Sequence, residues 1–325
     1  KHLLKDKHEL TILDRDDLPE QNLLNKLTFL KGDVRDEKLV KKACVGQDLI
    51  IHAAASLPLE SDEQITTTTI EGTRNVINNS NKKNKIIYIS STAVYGVPEK
   101  HPIFETDPLV GVGPYGIAKI EAEKLCKQAR EDGRFVAVVR PKTFIGTERL
   151  GVFQILFNWV RLGKRIPIIG NGHNQYQLLE VEDLVKAIML IAQTKDKSAN
   201  DVFNVGAQHY KTVREDVGAL CQHAGTTARP FPVPSFLVKP PLRIMEQFHL
   251  SPLYKWVYET ADKDSFVSVD KLKKLGWKAT RSNAQTLINA YDWYMKHYED
   301  VEKTVGTKHR VGWDQGALKF VKKFM

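Results

Sequence analysis

The sequence predicts an α/β fold in which a doubly wound parallel sheet carries a smaller mixed α/β lobe. Short apolar runs, such as residues 86–89 and 135–139, are typical of strands that are buried on both faces. Helical segments alternate with such strands as far as residue 146, which indicates parallel βαβ units. At 325 residues the chain is also too long for one compact core, so a second lobe is expected.

The strands and helices are predicted in a regular order along the chain. The end of a helix at residues 1–7 leads into a strand at 9–13, and further strands are expected at 27–30, 48–51, 86–89 and 135–139. Helices are expected at 65–79 and from Pro114 onward. Beyond Gly151 the character changes, with a helix at 152–162, a strand at 166–169, a long helix within 175–188, a strand at 202–206 and a last helix reaching residue 294.

The net charge of +9 does not by itself indicate a nucleic-acid partner. Its lysines are scattered along helices and loops, and no nucleic-acid-binding motif accompanies them, so we expect no nucleic-acid partner. Residues 301–325 carry six basic residues against two acidic ones. This basic C-terminal tail is either a functional extension or a helix packed on the body or on a partner subunit.

Cysteine usage and apolar run lengths predict a cytoplasmic location. Cys44, Cys126 and Cys221 are widely spaced and odd in number, which favours reduced thiols over a disulfide framework or a metal site. The apolar runs are shorter than a membrane span requires, and the first residues do not resemble a signal peptide. We therefore expect no bound metal and no membrane span.

The stretch from Lys85 to Lys119 contains the residues that could perform chemistry. Tyr115 and Lys119 are four positions apart, so on a helix both side chains project from one face. An ammonium beside a phenol lowers the phenol pKa from its usual value of about 10. Ser91, directly after the strand and its Ser90, could hold the reacting oxygen. The alternative is an exposed helical Tyr/Lys pair that follows a core strand.

This stretch, in which SSTAVYG precedes a YxxxK pair, resembles the catalytic segment of the extended short-chain dehydrogenase/reductases. That group contains NAD-dependent sugar-nucleotide epimerases and dehydratases and the 3β-hydroxysteroid dehydrogenases. The resemblance covers the chain from Asp14 to about Tyr294. It implies a Rossmann-type domain, hydride transfer to NAD at a substrate hydroxyl, catalysis by Ser91, Tyr115 and Lys119, and a homodimer.

The resemblance also implies which residues bind the dinucleotide. Asp14, at the end of its strand, would take the adenosine ribose hydroxyls, while Asp33 and Val34 would contact the adenine. The implied cofactor-binding residues are Asp14, Arg15, Asp33, Val34, Ala53, Ala54, Ala55, Ser90, Tyr115, Lys119, Pro141 and Thr143.

Several of these positions have simpler alternatives. The GDVRD turn that contains Asp33 could cap a helix, and Pro141 could merely end a strand. His52 is expected to be a core histidine with its hydrogen bonds satisfied. Thr69 stands where the family usually has Asn, so the role of that Asn is not transferred to it.

Asp14 favours NAD over NADP, because a carboxylate binds two free hydroxyls and repels a 2′-phosphate. Arg15 could take such a phosphate, so NADP stays open as the less favoured cofactor.

The beginning of the sequence lacks the first strand and the glycine-rich phosphate loop of a Rossmann unit, and Gly32 is the earliest glycine. We expect either a fragment of a longer gene product, which we favour, or a protein without the pyrophosphate cradle. In both cases two strands would lose their shared neighbour, and the chain as given would bind dinucleotide poorly and fold marginally.

The substrate is less well determined by the sequence. Sugar-nucleotide epimerases typically carry an Arg in the segment matching residues 174–177 and another just before the position of Asp270, whereas this chain has Gln175, Tyr176 and Ser268 there. Residues 230–258 are rich in apolar side chains, which would suit a sterol or another apolar alcohol. A sugar or sugar nucleotide is the favoured substrate, the alternatives being an apolar alcohol or a non-enzymatic dinucleotide sensor. Thr92, Tyr176 and Arg149 are candidate substrate-binding residues.

The predicted division of the chain follows from these assignments. An NAD-binding domain is expected over residues 1–147, with 176–206 and about 259–270 returning to it. Residues 148–175, 207–258 and 271–300 are expected mainly in the substrate lobe, and 301–325 form the basic tail.

Overall fold

The computed structural model describes residues 2–18, 21–56, 60–247, 255–303, 305–306 and 312–313. The chain divides into two compact units that alternate along the sequence. The first unit contains Lys1–Ser90, Pro114–Val139 and Lys195–Val202, and the second contains Ser91–Gly113, Arg140–Thr194 and Phe203–Met325. The domain boundaries predicted from the sequence, at residue 147 and beyond, stay a prediction.

The first unit is built on parallel strands. Its strands are β1 (Thr11–Asp14), β2 (Thr28–Lys31), β3 (Leu49–His52), β4 (Lys85–Ile89) and β5 (Phe135–Pro141), the last two residues of β5 belonging to the second unit. In the described residues β1 pairs in parallel with β2 alone, while β3, β4 and β5 pair in parallel as consecutive neighbours. The predicted parallel α/β architecture is therefore confirmed, and β1 and β3 share no neighbouring strand in the described part of the chain.

Four helices accompany these strands. They are α1 (His2–Lys5), α2 (Glu37–Cys44), α3 (Asp62–Asn79) and α4 (Gly113–Glu131). Helix α3 begins three residues before its predicted start because the Ser61 hydroxyl accepts a hydrogen bond from the Gln64 amide and caps it. The predicted cap in the GDVRD turn is found at Asp36, whose side chain accepts from the Leu39 amide.

The core of the first unit lies between the sheet and α4. Apolar side chains of β4 and β5 pack with small residues of α4, and Ala122 and Cys126 are fully buried there. A second cluster, around Val34, Val40 and Val76, joins the turn after β2 to α2 and α3. These two clusters hold the end of β4 and the first turns of α4 in fixed positions.

The second unit contains the remaining elements. Its strands are β6 (Phe144–Ile145), β7 (Arg165–Ile169), β8 (Leu179–Glu180), β9 (Val202–Val205), β10 (Arg229–Val233), β11 (Val305–Gly306) and β12 (Gly312–Trp313), the first residue of β9 belonging to the first unit. Its helices are α5 (Phe153–Arg161), α6 (Val181–Gln193), α7 (Val213–Ala224), α8 (Ser235–Gln247), α9 (Lys255–Thr260), α10 (Asp270–Lys274) and α11 (Asn283–Lys303). Helix α11 continues nine residues beyond its predicted end at Tyr294, and most of the basic tail lies outside the described residues.

Two short pairings and one large core organise the second unit. Strand β6 pairs with β8, and β7 pairs with β10, both in parallel. The core contains Phe157 and Trp159 of α5, Leu220 of α7 and Tyr294 of α11. Beside it, the Lys142 amide donates to the carbonyl of Val205 over 2.8 Å, which fixes the chain where β5 ends.

Candidate active site

Lys119 is a buried cation on the second turn of α4. Its side chain is 2% exposed, and its Nζ donates a 2.8 Å hydrogen bond to the carbonyl of Ile89, the last residue of β4. The ammonium also lies 4.9 Å from the ring centroid of Tyr88. Burial lowers the pKa of Lys119 to about 8, and the nearby Glu123 carboxylate opposes that shift.

Tyr115 lies one helical turn before Lys119 and is partly buried. The Lys119 ammonium is 5.8 Å from its ring centroid, so both side chains lie on the predicted common face of α4. The alternative of an exposed Tyr/Lys pair is wrong for Lys119, because its side chain is enclosed.

Glu123 extends this face by one more turn and was not singled out in the sequence. Its carboxylate accepts a 2.5 Å hydrogen bond from the hydroxyl of Ser90, and both side chains are buried. The spacing of four residues from Lys119 to Glu123 was visible in the sequence. Ser90, predicted on the cofactor side, is therefore a hydrogen-bond donor to α4.

His52 is a core histidine, as predicted. It is 4% exposed, and its Nε2 lies 3.0 Å from the hydroxyl of Thr73, which in turn donates to the carbonyl of Thr69 over 2.6 Å. Burial, with a contribution from Lys119, lowers the pKa of His52 to about 3. The imidazole is thus neutral and belongs to a buried polar cluster.

Ser91 and Thr92 belong to the second unit. Ser91 caps a short 3₁₀ turn by accepting a 3.1 Å hydrogen bond from the Ala93 amide. Thr92 is 4% exposed, and its Oγ1 has no hydrogen-bond partner within the described residues. The turn ends at Gly96 with φ of 73°, a conformation that favours glycine.

Asp14 and Arg15 are exposed at the carboxyl end of β1. Asp14 Oδ1 accepts a 3.0 Å hydrogen bond from the Asp16 amide. Asp33, after β2, accepts from the amide, Nε and Nη2 of Arg35 at 2.7–3.0 Å. The Arg35 hydrogen bonds lower the pKa of Asp33, which keeps it a carboxylate.

Val34 is buried after β2, and small residues follow β3. A Cβ on Gly72 would lie 2.5 Å from Cγ1 of Val34, so α3 approaches the turn closely only because residue 72 is glycine. Ala53 is exposed, while Ala54 and Ala55 are partly exposed. An exposed carboxylate, small side chains and a buried cation at the carboxyl ends of parallel strands fit a dinucleotide.

The remaining predicted residues lie in the second unit. Pro141 is the last residue of β5, which agrees with the alternative that it ends the strand, while its predicted place beside the cofactor stays a prediction. The carbonyl of Thr143 accepts from the Leu179 amide over 3.0 Å. Arg149 stacks over the ring of Phe144 at 4.0 Å. Tyr176 is partly exposed, and burial raises its pKa.

Three further expectations concern ions, thiols and membranes. The described ranges contain no cluster of His, Cys, Asp or Glu that could hold a metal ion. All three cysteines are buried free thiols. None of the described helices combines the length and apolar character that crossing a bilayer requires.

The sequence model of the NAD dependent epimerase/dehydratase family matches residues 1–206. This chain belongs to that family. It is therefore an enzyme of the short-chain dehydrogenase/reductase class, as the sequence predicted.

Relatives within the family are similar over most of the chain. The uncharacterized protein y4nG of Sinorhizobium fredii is 32% identical over 289 residues, which cover 87% of this chain and 72% of that protein. The UDP-glucose 4-epimerase of Lactobacillus helveticus is 26% identical, with 92% of this chain and 94% of that protein covered.

Solved structures of family enzymes share the fold. The UDP-glucose 4-epimerase of Thermotoga maritima, crystallised with UDP-glucose, has a TM-score of 0.74 at 22% identity and covers 91% of this chain and 94% of its own. The UDP-glucuronic acid 4-epimerase of Bacillus cereus, in complex with NAD, has a TM-score of 0.73 at 18% identity, with coverage of 91% and 95%. At these identities the similarity establishes the Rossmann-like α/β fold.

Proposed function

We propose that this protein uses NAD to transfer hydride at a hydroxyl-bearing carbon of a sugar or sugar nucleotide, as an epimerase or dehydratase does. The observation that carries the proposal is the burial of Lys119 beside Tyr115, its ammonium 5.8 Å from the ring centroid. A buried cation stabilises a phenolate more strongly than a solvated one, because water screens it less. Family membership, and relatives named as sugar-nucleotide epimerases, support this reaction class.

Tyr115 acts as the general base in this mechanism. Its phenolate removes the proton of the substrate hydroxyl while the C–H bond of the same carbon breaks. Lys119 favours the phenolate electrostatically and holds ribose hydroxyls of the cofactor. Ser91 belongs to the second unit, and its role in holding the reacting oxygen stays a prediction from the sequence. The nicotinamide supplies the hydride-acceptor chemistry.

The cofactor preference follows from Asp14. Its exposed carboxylate binds the two ribose hydroxyls and disfavours a 2′-phosphate, so NAD is preferred over NADP. Arg35 donates three hydrogen bonds to Asp33. The adenine amine, which is predicted to contact Asp33, must therefore compete with Arg35 for this carboxylate.

The decisive experiment compares Tyr115→Phe with the wild-type full-length protein. Turnover of UDP-glucose, UDP-glucuronic acid and dTDP-glucose is measured by product analysis, and NAD binding by calorimetry. We expect turnover to fall by roughly 100-fold or more, with NAD affinity unchanged, because the phenylalanine lacks the acid–base group. Tyr298→Phe, on α11, serves as the matched control and should retain turnover. Wild-type turnover by Tyr115→Phe would contradict the proposal.

A second candidate is the oxidation of an apolar alcohol, such as a sterol. It is favoured by apolar side chains of the second unit that are exposed, namely Phe231, Phe236, Leu237 and Ile244. Epimerisation of a UDP-sugar without net NADH release supports the first function, whereas NADH accumulation with a sterol supports the second.

A further inference from the structure

Lys142 is a buried lysine that the proposed reaction does not use. It directly follows β5, is 1% exposed, and its Nζ donates a 2.7 Å hydrogen bond to the hydroxyl of Ser265. The same ammonium lies 4.9 Å from the ring centroid of Tyr176. All three residues belong to the second unit, Lys142 and Tyr176 to its segment Arg140–Thr194 and Ser265 to its segment Phe203–Met325.

The surroundings of Lys142 are rich in hydroxyl groups. The Tyr176 phenol has hydrogen-bond interactions with the hydroxyls of Thr143 and Thr260, in addition to its contact with the ammonium. We call Lys142, Thr143, Tyr176, Thr260 and Ser265 the Lys142 cluster. Hydroxyl groups can donate to an anion, and a lysine supplies its charge, so the cluster has the chemistry of an anion-binding site.

His101 and Asp264 are titratable residues beside the Lys142 cluster. The ring centroid of His101 lies 4.9 Å from that of Phe266, with the two rings tilted by 40°, and His101 interacts electrostatically with both Lys142 and Asp264. Asp264 accepts a 2.7 Å hydrogen bond from the Gln175 amide. Burial lowers the pKa of Lys142 to about 7, and burial lowers the pKa of His101 as well. The cluster is therefore only partly charged at neutral pH.

A purely structural role explains Lys142 poorly. Two main-chain hydrogen bonds already join the Ser265 segment to the Tyr176 segment, one from the Gln177 amide to the Ser265 carbonyl at 3.0 Å and one from the Ser265 amide to the Gln175 carbonyl at 2.8 Å. The main chain of Lys142 is fixed by its own bond to Val205. An enclosed ammonium adds a desolvation cost that an apolar side chain would avoid.

We infer that Lys142 is a specificity-determining residue that binds an anionic oxygen of the substrate, either a phosphate or a carboxylate. The inference rests on the proposed function and adds that the substrate is acidic. Residues 174–177 contain no arginine, and Lys142 places a cation against Tyr176 of that segment. Tyr176 and His101 are both partly exposed as residues, while the Tyr176 phenol itself is buried within the second unit.

The first test measures ligand affinity by calorimetry on the full-length protein. Wild type, Lys142→Met, Lys142→Arg and the exposed control Lys263→Met are titrated with UDP, UDP-glucose, glucose 1-phosphate and glucuronate. We expect Lys142→Met to bind the anions about 10- to 100-fold more weakly, as for loss of a charge-assisted hydrogen bond, with Arg restoring part of the affinity. Weaker binding of glucuronate alone identifies a carboxylate site, and weaker binding of the phosphates identifies a phosphate site.

The second test is a pH readout that a structural residue would not produce. Because anion binding favours the charged ammonium, wild type should take up protons on binding near pH 7, and its affinity should fall as the pH rises above 7. Titrations in buffers of different ionisation enthalpy measure this uptake. Lys142→Met should lose the uptake that Lys263→Met retains.

The outcomes separate the inference from the proposed function. Equal affinity and equal KM in wild type and Lys142→Met, with normal epimerisation, would overturn the inference and leave the proposed function intact. If wild type binds and converts no sugar nucleotide while it oxidises a neutral sterol, both fail. Melting curves of Lys142→Met, and the smaller change Ser265→Ala, verify that any loss of affinity does not come from unfolding.

Discussion

The hydroxyl of Ser90 donates a 2.5 Å hydrogen bond to the carboxylate of Glu123, and both side chains are buried. Glu123 follows Lys119 by one turn of α4, and its charge opposes the effect of burial on the Lys119 pKa. Lys119 must be protonated to stabilise a phenolate at Tyr115. In the proposed mechanism Glu123 would therefore be a positioning residue that acts through Lys119.

Replacing Glu123 with glutamine should shift the pH dependence of turnover. Without the carboxylate, burial lowers the Lys119 pKa below its present value of about 8, so the ammonium is lost at a lower pH. We expect the alkaline limb of the kcat profile to move to lower pH and turnover at pH 8 to fall by a few-fold or more. The profile is measured between pH 6 and pH 9 with the nucleotide sugar that wild type converts among UDP-glucose, UDP-glucuronic acid and dTDP-glucose.

Glu121→Gln is the matched control for this prediction. Glu121 is on the same helix, is partly exposed and pairs with Lys124 at 2.7 Å. Its replacement should leave the pH profile unchanged. If Glu123→Gln and wild type have superimposable profiles, Glu123 does not act on Lys119.

Much of the first unit could be predicted from the sequence, because its strands and helices are marked by patterns of residues that are close together in the chain. Buried parallel strands appear as continuous apolar runs, and β4 and β5 lie at their predicted positions. The shared face of Tyr115 and Lys119 follows from helical spacing alone. The same spacing would have identified Glu123.

The polar contacts of buried residues could not be predicted in this way. Ser90 and Glu123 are 33 positions apart, and Lys142 and Ser265 are 123 positions apart. Such pairs depend on how distant segments pack, which has no periodic signal in one sequence. The salt bridge between Asp33 and Arg35 joins residues only two positions apart, but it could not be predicted either. The same sequence is expected whether Asp33 binds its neighbour or a ligand.

His52 should make the protein sensitive to acid. Its pKa is about 3 in the folded protein, against 6.5 as the usual value, so the unfolded chain binds the extra proton between these pH values. The free energy of unfolding should therefore decrease as the pH falls from 6.5, by about 2 kcal/mol at pH 4.5 from this residue. Urea titrations of His52→Gln should show a weaker dependence on pH. The exposed control His209→Gln should behave as wild type, and a wild-type slope in His52→Gln would contradict the assignment.

Lys142→Met should stabilise the free protein at neutral pH. The folded pKa of Lys142 is about 7, below the usual 10.5, so the unfolded chain binds more protons between these values and the stability rises with pH. At pH 7 the variant avoids the cost of burying an ammonium and should gain about 2–4 kcal/mol. At pH 9 the lysine is mostly neutral in the fold, so the gain should be smaller. Lower stability of the variant at pH 7 would mean that the bond to Ser265 outweighs this cost.

Glu180, in the second unit, should make the stability fall with rising pH, which is the opposite of the effect of Lys142. It is 3% exposed, and burial raises its pKa to about 7 from 4.5, although Arg281 lies 3.8 Å away. Between pH 4.5 and pH 7 Glu180 is therefore protonated in the folded protein but ionised in the unfolded chain. The stability is highest below pH 4.5 with respect to this residue, and it decreases as the pH rises to 7. Glu180→Gln should thus be more stable than wild type at pH 8, by about 1–3 kcal/mol, and similar at pH 5. Denaturant titrations at both pH values measure the difference, with the exposed Glu182→Gln as control. A destabilised Glu180→Gln at pH 8 would show that the attraction to Arg281 exceeds the cost of burial.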